Sequence, residues 1–271
     1  MASPSPPTPP SAKRVKTNKD TPYNLIYWPG IPGRGEPIRL VLEEAGATYT
    51  DTAQMENGMF TVTAHIADDN TGDPSNPPAL APPILKHGGL VISQLSNILL
   101  YLGQRLHLAP RFGDGAGDGA YIVNQLALTA LDGLSDETHD THHPISVGLT
   151  YEEQSEESLR CAKEYVANRL PKFMGYFERV LKGEASGERP WLYNGTFSYA
   201  DIVLFQCLDG VKYAFPRAVG QLKKTGDYER VFELYDAVKQ RPRIKAYLES
   251  HRRQKYSMGI YRHYPELDDA G

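Results

Sequence analysis

The residues best suited to chemistry follow the first apolar segment of the chain. Residues 23–28 read Tyr-Asn-Leu-Ile-Tyr-Trp, and a turn rich in Gly and Pro that contains Arg34 comes next. This order predicts a strand, a turn and the start of a helix, with the hydroxyl of Tyr27 beside the N–H groups of a helix N-terminus. A phenol in that position can donate a hydrogen bond to an anion. The alternative is a tyrosine that ends the strand with its ring in the core.

The elements that would position Tyr27 occupy the first 106 residues. Apolar residues at i, i+3, i+4 and i+7 predict a helix that ends at Gly46. A second strand is predicted over residues 47–52, an irregular connector over 55–79, a hairpin over 84–92 and a helix over 93–105. The predicted fold class is therefore an α/β domain of β-α-β and β-β-α order.

The second half of the chain has no convincing strand pattern. Helices are predicted at four places: residues 120–143, ending before Pro144; from the capping box Thr150/Glu153 to about 182, bent at Pro171; after the capping box Ser198/Asp201; and from Pro242 to about 254. The predicted organisation is a disordered tail (1–20), the α/β domain (21–106), a linker (107–119) and an all-α domain (120–265).

Composition excludes several classes of function. The net charge of −4 and the pI of about 6.1 argue against a nucleic-acid or membrane-surface partner. Cys161 and Cys207 form no disulfide, dithiol or zinc pattern, and no apolar run reaches the length of a membrane span. We expect a cytoplasmic protein, with nuclear import through the basic cluster at residues 13–16 as the alternative.

Three motifs resemble the cytosolic glutathione transferase family in its tyrosine-using classes. They are Tyr27-Trp28 followed by the segment 33–39, Pro83 placed eleven residues before Gln94, and the capping box that starts at Ser198. The resemblance covers about residues 22–255. It implies a thioredoxin-like first domain, a helical second domain, a homodimer, and detoxification-type conjugation of glutathione, the co-substrate, to hydrophobic electrophiles without a metal.

The resemblance also implies roles for individual residues. Tyr27 would be the catalytic donor to the glutathione thiolate. A free thiol has a pKa of about 8.5, so lowering it by about two units makes the thiolate the majority form at pH 7. The residues that would bind the rest of glutathione are Trp28, Arg34, Pro82, Pro83, Gln94, Leu95, Ser96 and Asp136.

Two of these positions depart from the family pattern. Leu95 stands where the family has a serine that binds the γ-glutamyl carboxylate; Ser93 or Ser96 could supply the hydroxyl, although Ser93 could equally be only the N-cap of the helix. Pro82 has no N–H to offer the cysteinyl part of glutathione. Either glutathione binds with one hydrogen bond fewer, or the cis bond is the one between Ala81 and Pro82 and the loop differs locally. Both departures favour a rival function, a non-catalytic transferase-like module for ligand binding or assembly.

For three features the sequence allows two interpretations each. Asp136 either reaches across a dimer interface toward the glutathione amine or is a solvated helix acid. The cluster His139/His142/His143 has the spacing of metal ligands, but a role without a metal is preferred, either as a polar wall of the substrate cleft or as plain surface near Pro144. The aromatic segment 256–264 either folds over the electrophile pocket or packs on the helical core.

Overall fold

The computed structural model describes residues 21–113, 118–188 and 190–268. The predicted tail (1–20), with its basic cluster, and part of the predicted linker lie outside the described residues. The domain boundaries given above therefore stay predictions.

The described residues form one sheet of four strands. These are β1 (Tyr23–Ile26), β2 (Tyr49–Asp51), β3 (Ile84–His87) and β4 (Leu90–Ser93), in the order β2-β1-β3-β4. Strand β1 pairs in parallel with β2 and antiparallel with β3, which in turn forms a hairpin with β4. The parallel pair requires a crossover, and helix α1 (Glu36–Ala45) supplies it.

Three helices accompany the sheet. Helix α1 ends at Gly46, which adopts the left-handed conformation (φ 64°), as the sequence predicts. Helix α3 (Leu95–Arg105) follows β4. Helix α2 (Gly58–His65) lies within residues 55–79, so the prediction of an irregular connector is wrong there. The helix buries only Gly58 and Val62, and so small a buried face leaves little periodic pattern in the sequence.

The rest of the described chain is helical. Its helices are α4 (Gly119–Leu131), α5 (Glu137–Asp140), α6 (Ser155–Glu164), α7 (Leu170–Lys182), α8 (Tyr199–Ala214), α9 (Pro216–Thr225), α10 (Glu229–Lys239), α11 (Pro242–Leu248) and α12 (Pro265–Asp268). Single π-helical turns join α4 to α5 and α6 to α7, the second just before Pro171. The predicted helix from Pro242 ends at Leu248 rather than near residue 254.

Helix α8 lies at the centre of the helical half. Asp201 and Ser198 form the predicted capping box, and the Asp201 carboxylate also accepts the N–H of Leu192 at 2.8 Å. Almost every residue of α8 is buried, and the helix packs against α4, α10 and α1. Because α1 belongs to the sheet half, the apolar residues of both halves form one continuous core. Among the described helices, none is long and apolar enough to cross a membrane.

Candidate active site

The backbone of Tyr27 is held just beyond the end of β1 by the side chain of Thr52. The Thr52 hydroxyl accepts the N–H of Tyr27 at 2.9 Å and donates to its carbonyl at 2.7 Å. One side chain thus satisfies both backbone groups of Tyr27 where the strand pairing has ended. The sequence analysis did not identify Thr52, because no motif includes it. Its position directly after β2 is the one sequence feature that could have indicated this contact.

Two glycines let the chain lie directly against the ring of Tyr27. A Cβ atom on Gly33 would overlap the Tyr27 hydroxyl oxygen, and one on Gly35 would lie 2.7 Å from the ring carbon Cδ1. Gly33 also has a φ of 45°, which favours glycine. Between them, the N–H of Arg34 donates to the Tyr27 hydroxyl at 2.8 Å. The segment Gly33–Gly35 therefore covers the phenol and fixes the position of its oxygen.

The environment of Tyr27 keeps its hydroxyl protonated. Burial raises the pKa of Tyr27, and this outweighs the Arg34 N–H together with the positive charges of Arg34 and Arg39, which lower it. The hydroxyl oxygen accepts from Arg34, and among the described residues no acceptor is found for its proton. A neutral phenol with a free proton can donate a hydrogen bond to an incoming anion.

A buried ion cluster supports the turn that covers Tyr27. The guanidinium of Arg39 pairs with Asp51 at 2.6 Å and with Glu36 at 3.0 Å, and it donates to the carbonyl of Pro32 at 3.1 Å. It also lies 5.7 Å from the centroid of the Tyr27 ring. Arg39 therefore ties α1, β2 and the turn together beneath the candidate site.

Arg34 connects the two halves of the molecule. Its guanidinium forms an ion pair with Asp136 at 2.7 Å, and the two side chains are 42% and 49% exposed. Asp136 lies in the π-helical turn after α4, so in this chain its carboxylate contacts Arg34 of the same subunit. The predicted contact of Asp136 across a dimer interface stays a prediction. The pair places one charge of each sign beside the turn that covers Tyr27.

The other predicted binding segment lies at the start of β3. The cis peptide bond is the one between Pro82 and Pro83, and not the one between Ala81 and Pro82. Pro83 is buried and leads directly into β3. Pro82 consequently has only its carbonyl available for a hydrogen bond to a peptide ligand.

The start of α3 presents backbone N–H groups that no side chain caps. Gln94 is the N-cap residue and makes no side-chain cap hydrogen bond, so the interpretation of Ser93 as the N-cap is wrong. Gln94 is exposed and has a φ of 72°, which is uncommon for a residue other than glycine. Uncapped N–H groups at a helix N-terminus can bind a carboxylate.

The remaining predicted binding residues, Leu95, Ser96 and Trp28, differ in how deeply their side chains are buried. Leu95 is only 6% exposed and belongs to the core, so its backbone N–H is what it can offer a ligand. Ser96 is half-buried in the first turn of α3. Trp28, directly after Tyr27, is half-buried against the core on both sides of the sheet.

The C-terminal segment contacts both the helical core and the turn after Tyr27. Tyr261 is buried against Gly210 of α8, and the ring of Tyr256 stacks on that of Tyr213. On the other side, the N–H of Gly30 donates to Gln254 at 2.9 Å, and the hydroxyl of Ser257 donates to the carbonyl of Gly30 at 3.2 Å. The two interpretations of this segment are therefore compatible.

The three histidines form a compact cluster of uncharged rings. The ring centroids of His139, His142 and His143 lie 4.8 to 5.1 Å apart. Burial lowers the pKa of His142 to about 3, and its Nε2–H donates to the carbonyl of Ile260 at 2.9 Å. Burial, the neighbouring His143 and Arg34 lower the pKa of His139. Burial and Arg262 lower the pKa of His143. Within the described residues, no His, Cys, Asp or Glu group has the arrangement of a metal site.

Comparisons with known proteins find relatives that are named glutathione S-transferases. A family model described as "Glutathione S-transferase, C-terminal domain" matches residues 139–251. A glutathione S-transferase of Plasmodium falciparum (isolate 3D7) is 23% identical over 198 residues, which are 72% of this chain and 83% of that protein. Glutathione S-transferase P 2 of Bufo bufo is 27% identical over 235 residues, or 86% and 95% of the two chains.

Solved structures show the same fold. The pi-class glutathione S-transferase of Onchocerca volvulus aligns with a TM-score of 0.61 at 21% identity, covering 84% of this chain and 92% of that one. Prostaglandin synthase D of Nilaparvata lugens aligns with a TM-score of 0.59 at 19% identity, covering 87% and 100%. The predicted fold class, a thioredoxin-like domain followed by a helical domain, is confirmed. The sequence motifs, the family model over residues 139–251 and the named relatives agree, and together they support the glutathione transferase family for this chain.

Proposed function

We propose that this protein is an enzyme that conjugates the thiolate of glutathione to hydrophobic electrophiles. The observation that carries the proposal is the Tyr27 hydroxyl, which accepts the N–H of Arg34 at 2.8 Å and keeps its proton free to donate. A donor fixed in advance stabilises the thiolate relative to the thiol, and the thiolate is the nucleophile. The sulfur then forms a bond to the electrophilic carbon, and the leaving group departs with its electron pair.

The groups around Tyr27 offer a contact for each end of the glutathione peptide. Its γ-glutamyl carboxylate would meet the uncapped N–H groups at the start of α3 and the exposed side chain of Gln94. Arg34 and Asp136, each about half exposed, offer one positive and one negative charge for the peptide's charged groups. No metal takes part in the proposed reaction, and the family's two-fold dimer would complete each site.

The electrophile would bind between the turn after Tyr27 and the C-terminal segment. Ile31 lies 3.5 Å from a Cβ position on Gly259, so an apolar side chain faces the segment there. The lowered pKa values of the histidine cluster, caused mainly by burial, keep its rings uncharged at neutral pH. The uncharged rings and the apolar side chain of Ile31 suit a hydrophobic electrophile of the kind handled in detoxification.

Leu95 and Pro82 favour the second candidate, a non-catalytic module with this fold. The side chain of Leu95 is buried in the core, and Pro82 lacks an N–H, so glutathione would bind with two fewer hydrogen bonds than the family pattern provides. Such a module would retain the fold and bind glutathione weakly.

Calorimetric titration with glutathione, followed by an assay for conjugation of chlorodinitrobenzene, separates the two candidates. Micromolar to low millimolar binding together with conjugate formation supports the enzyme. Weak or absent binding without conjugate formation, in a protein that is folded by circular dichroism, supports the module. The matched variant Tyr27→Phe should bind glutathione only about fourfold more weakly at pH 7, because the peptide contacts remain and only the stabilisation of the thiolate is lost.

A further inference from the structure

The strand pairing that holds β1 ends before it reaches Tyr27. The parallel pairs with β2 run from Tyr23 to Leu25, and the antiparallel pairs with β3 end at Ile26. Tyr27 lies beyond the last of these pairs and is only 5% exposed. Buried backbone groups without a partner cost free energy, so the N–H and the carbonyl of Tyr27 need partners from outside the ladder.

The hydroxyl of Thr52 supplies both partners. It accepts the N–H of Tyr27 at 2.9 Å and donates to the carbonyl of Tyr27 at 2.7 Å. Thr52 is 4% exposed and directly follows β2, so its side chain continues the link between β2 and β1 by one residue. A hydroxyl can donate and accept at once, so threonine and serine can both make these two bonds, whereas valine has the shape of threonine and can make neither.

The neighbours of Thr52 fix its own position. Its carbonyl accepts the N–H of Met55 at 3.1 Å, and a Cβ atom on Gly58 would overlap its carbonyl oxygen, so the start of α2 lies directly against it. On the other side, the Asp51 carboxylate accepts the N–H of Ala53 at 2.9 Å. As a β-branched residue, Thr52 also has a restricted χ1 angle. Its hydroxyl is therefore held in place before any ligand binds.

The two ends of Tyr27 are held by different segments of the chain. The phenol oxygen accepts the N–H of Arg34 in the turn after β1, and Arg39 supports that turn by donating to the carbonyl of Pro32 at 3.1 Å. The backbone is held by Thr52 at the end of β2. A displacement at the backbone end shifts the phenol oxygen and turns its O–H bond, and a hydrogen bond weakens steeply as its angle departs from linear. Groups that act in catalysis have to be held within about 0.5 Å of their working position.

We propose that Thr52 is a positioning residue for the conjugation reaction: its hydroxyl holds Tyr27 where the phenol can donate to the glutathione thiolate. This role rests on the proposed function, because it requires a thiolate at the phenol of Tyr27. Thr52 acts through Tyr27 and not on glutathione itself, since both hydrogen bonds of its hydroxyl go to the backbone of Tyr27.

The variants Thr52→Val and Thr52→Ser test the proposal. The ultraviolet absorbance of the thiolate gives the pKa of bound glutathione, and the pH profile of turnover at saturating glutathione gives it independently. Thr52→Val should raise this pKa by about one unit, half of the lowering assigned to Tyr27, so that turnover falls about eightfold at pH 6 and is nearly unchanged at pH 9. Its calorimetric affinity for glutathione at pH 5, where the thiol form binds, should equal that of the parent protein. Thr52→Ser should restore the parent pKa.

Thr50→Val is the matched control, because Thr50 lies in β2 and its hydroxyl donates to Asn24 at 2.6 Å without contacting Tyr27. It should keep the parent pKa of bound glutathione. Circular dichroism melting checks folding, and Thr52→Ala replaces Thr52→Val if the valine variant does not fold. A merely structural role would lower the melting temperature without moving the pKa.

The outcomes separate this proposal from the proposed function. An unchanged pKa of bound glutathione in a folded Thr52→Val protein, or a raised pKa in Thr52→Ser, would overturn the role of Thr52 while leaving the proposed function intact. A parent protein that binds glutathione without ionising its thiol would overturn both, and that result is obtained from the parent alone.

Discussion

Replacing Tyr27 by phenylalanine removes the proposed thiolate donor while leaving the ring in place. If the hydroxyl lowers the pKa of bound glutathione by about two units, from about 8.5 to about 6.5, it contributes about 2.7 kcal/mol. At pH 7 the thiolate fraction then falls from about three quarters to about 3% in the variant. We therefore expect kcat/KM to fall about 25-fold at pH 7.

The dependence of this loss on pH identifies its cause. With chlorodinitrobenzene as electrophile, kcat/KM of the variant should rise with pH until the thiol ionises unaided, so that the loss nearly disappears by about pH 9.5. Because burial raises the pKa of Tyr27, the parent enzyme should show no further inflection from its phenol within this range. The assay thus tests the assignment in two ways besides the rate at a single pH, namely by the rise of kcat/KM with pH in the variant and by the absence of a second inflection in the parent enzyme.

The structure also gives the expected effect on stability. Tyr27→Phe leaves the N–H of Arg34 without its acceptor, which costs about 1–3 kcal/mol of unfolding free energy. Tyr199→Phe is the matched control, because it removes the hydroxyl that donates to Asn124 at 3.1 Å in the helical half. This control should also lose stability but keep the parent pH profile. An unchanged pH profile in Tyr27→Phe would refute the assignment of Tyr27 as the thiolate donor.

Three further substitutions test the surroundings of the site. Leu95→Ser should lower the unfolding free energy measured in urea by about 2–4 kcal/mol, because the leucine side chain is buried in the core. The affinity for glutathione measured by calorimetry should not improve, and tighter binding would contradict the inward orientation of this side chain. Arg39→Met leaves the buried carboxylate of Asp51 without its ion-pair partner, whereas Glu36 keeps Arg253 at 2.6 Å and Tyr247 at 2.9 Å. The substitution should lower the unfolding free energy in urea by about 3–5 kcal/mol, and a loss below about 1 kcal/mol would argue against the unpaired Asp51 carboxylate as the cause. Burial lowers the pKa of His142 from 6.5 to about 3, so the folded protein loses stability as the pH falls below the pKa of this histidine in the unfolded chain. His142→Gln should therefore reduce by about 2 kcal/mol the decrease in unfolding free energy between pH 7 and pH 5. An identical decrease in the variant and the parent protein would contradict this role.

The sequence predicted best those elements whose local signals agree with their packing. Helix α1 has an apolar stripe and a terminating glycine, and both features are present in the structure. The capping box of Ser198 and Asp201 starts the most buried helix, because its carboxylate satisfies N–H groups that would otherwise be unpaired in the core. Tyr27 could be singled out because the strand, the turn and the helix start surround it in one continuous segment.

Other parts depend on contacts between distant segments, which local patterns do not encode. Helix α2 buries too few residues to produce a stripe, and the contact of Thr52 with Tyr27 joins positions 25 residues apart. The C-terminal segment is held at Gly30 by Gln254, across 224 positions in sequence. The ion pair between Asp136 and Arg34 likewise joins residues from the two halves of the molecule, so no local pattern predicts it.

The backbone of Gln94 bears on whether the peptide-binding half of the site still functions. A φ of 72° in a residue other than glycine costs about 1–3 kcal/mol, and such strain persists only when the surrounding structure enforces it. The chain holds Gln94 in this conformation with its side chain exposed and the helix N-terminus uncapped. The buried Leu95 removes one hydroxyl from the site but leaves this arrangement intact. The geometry at Gln94 therefore suits the proposed binding of glutathione through the helix N–H groups, and it offsets part of the argument that Leu95 makes for the non-catalytic module.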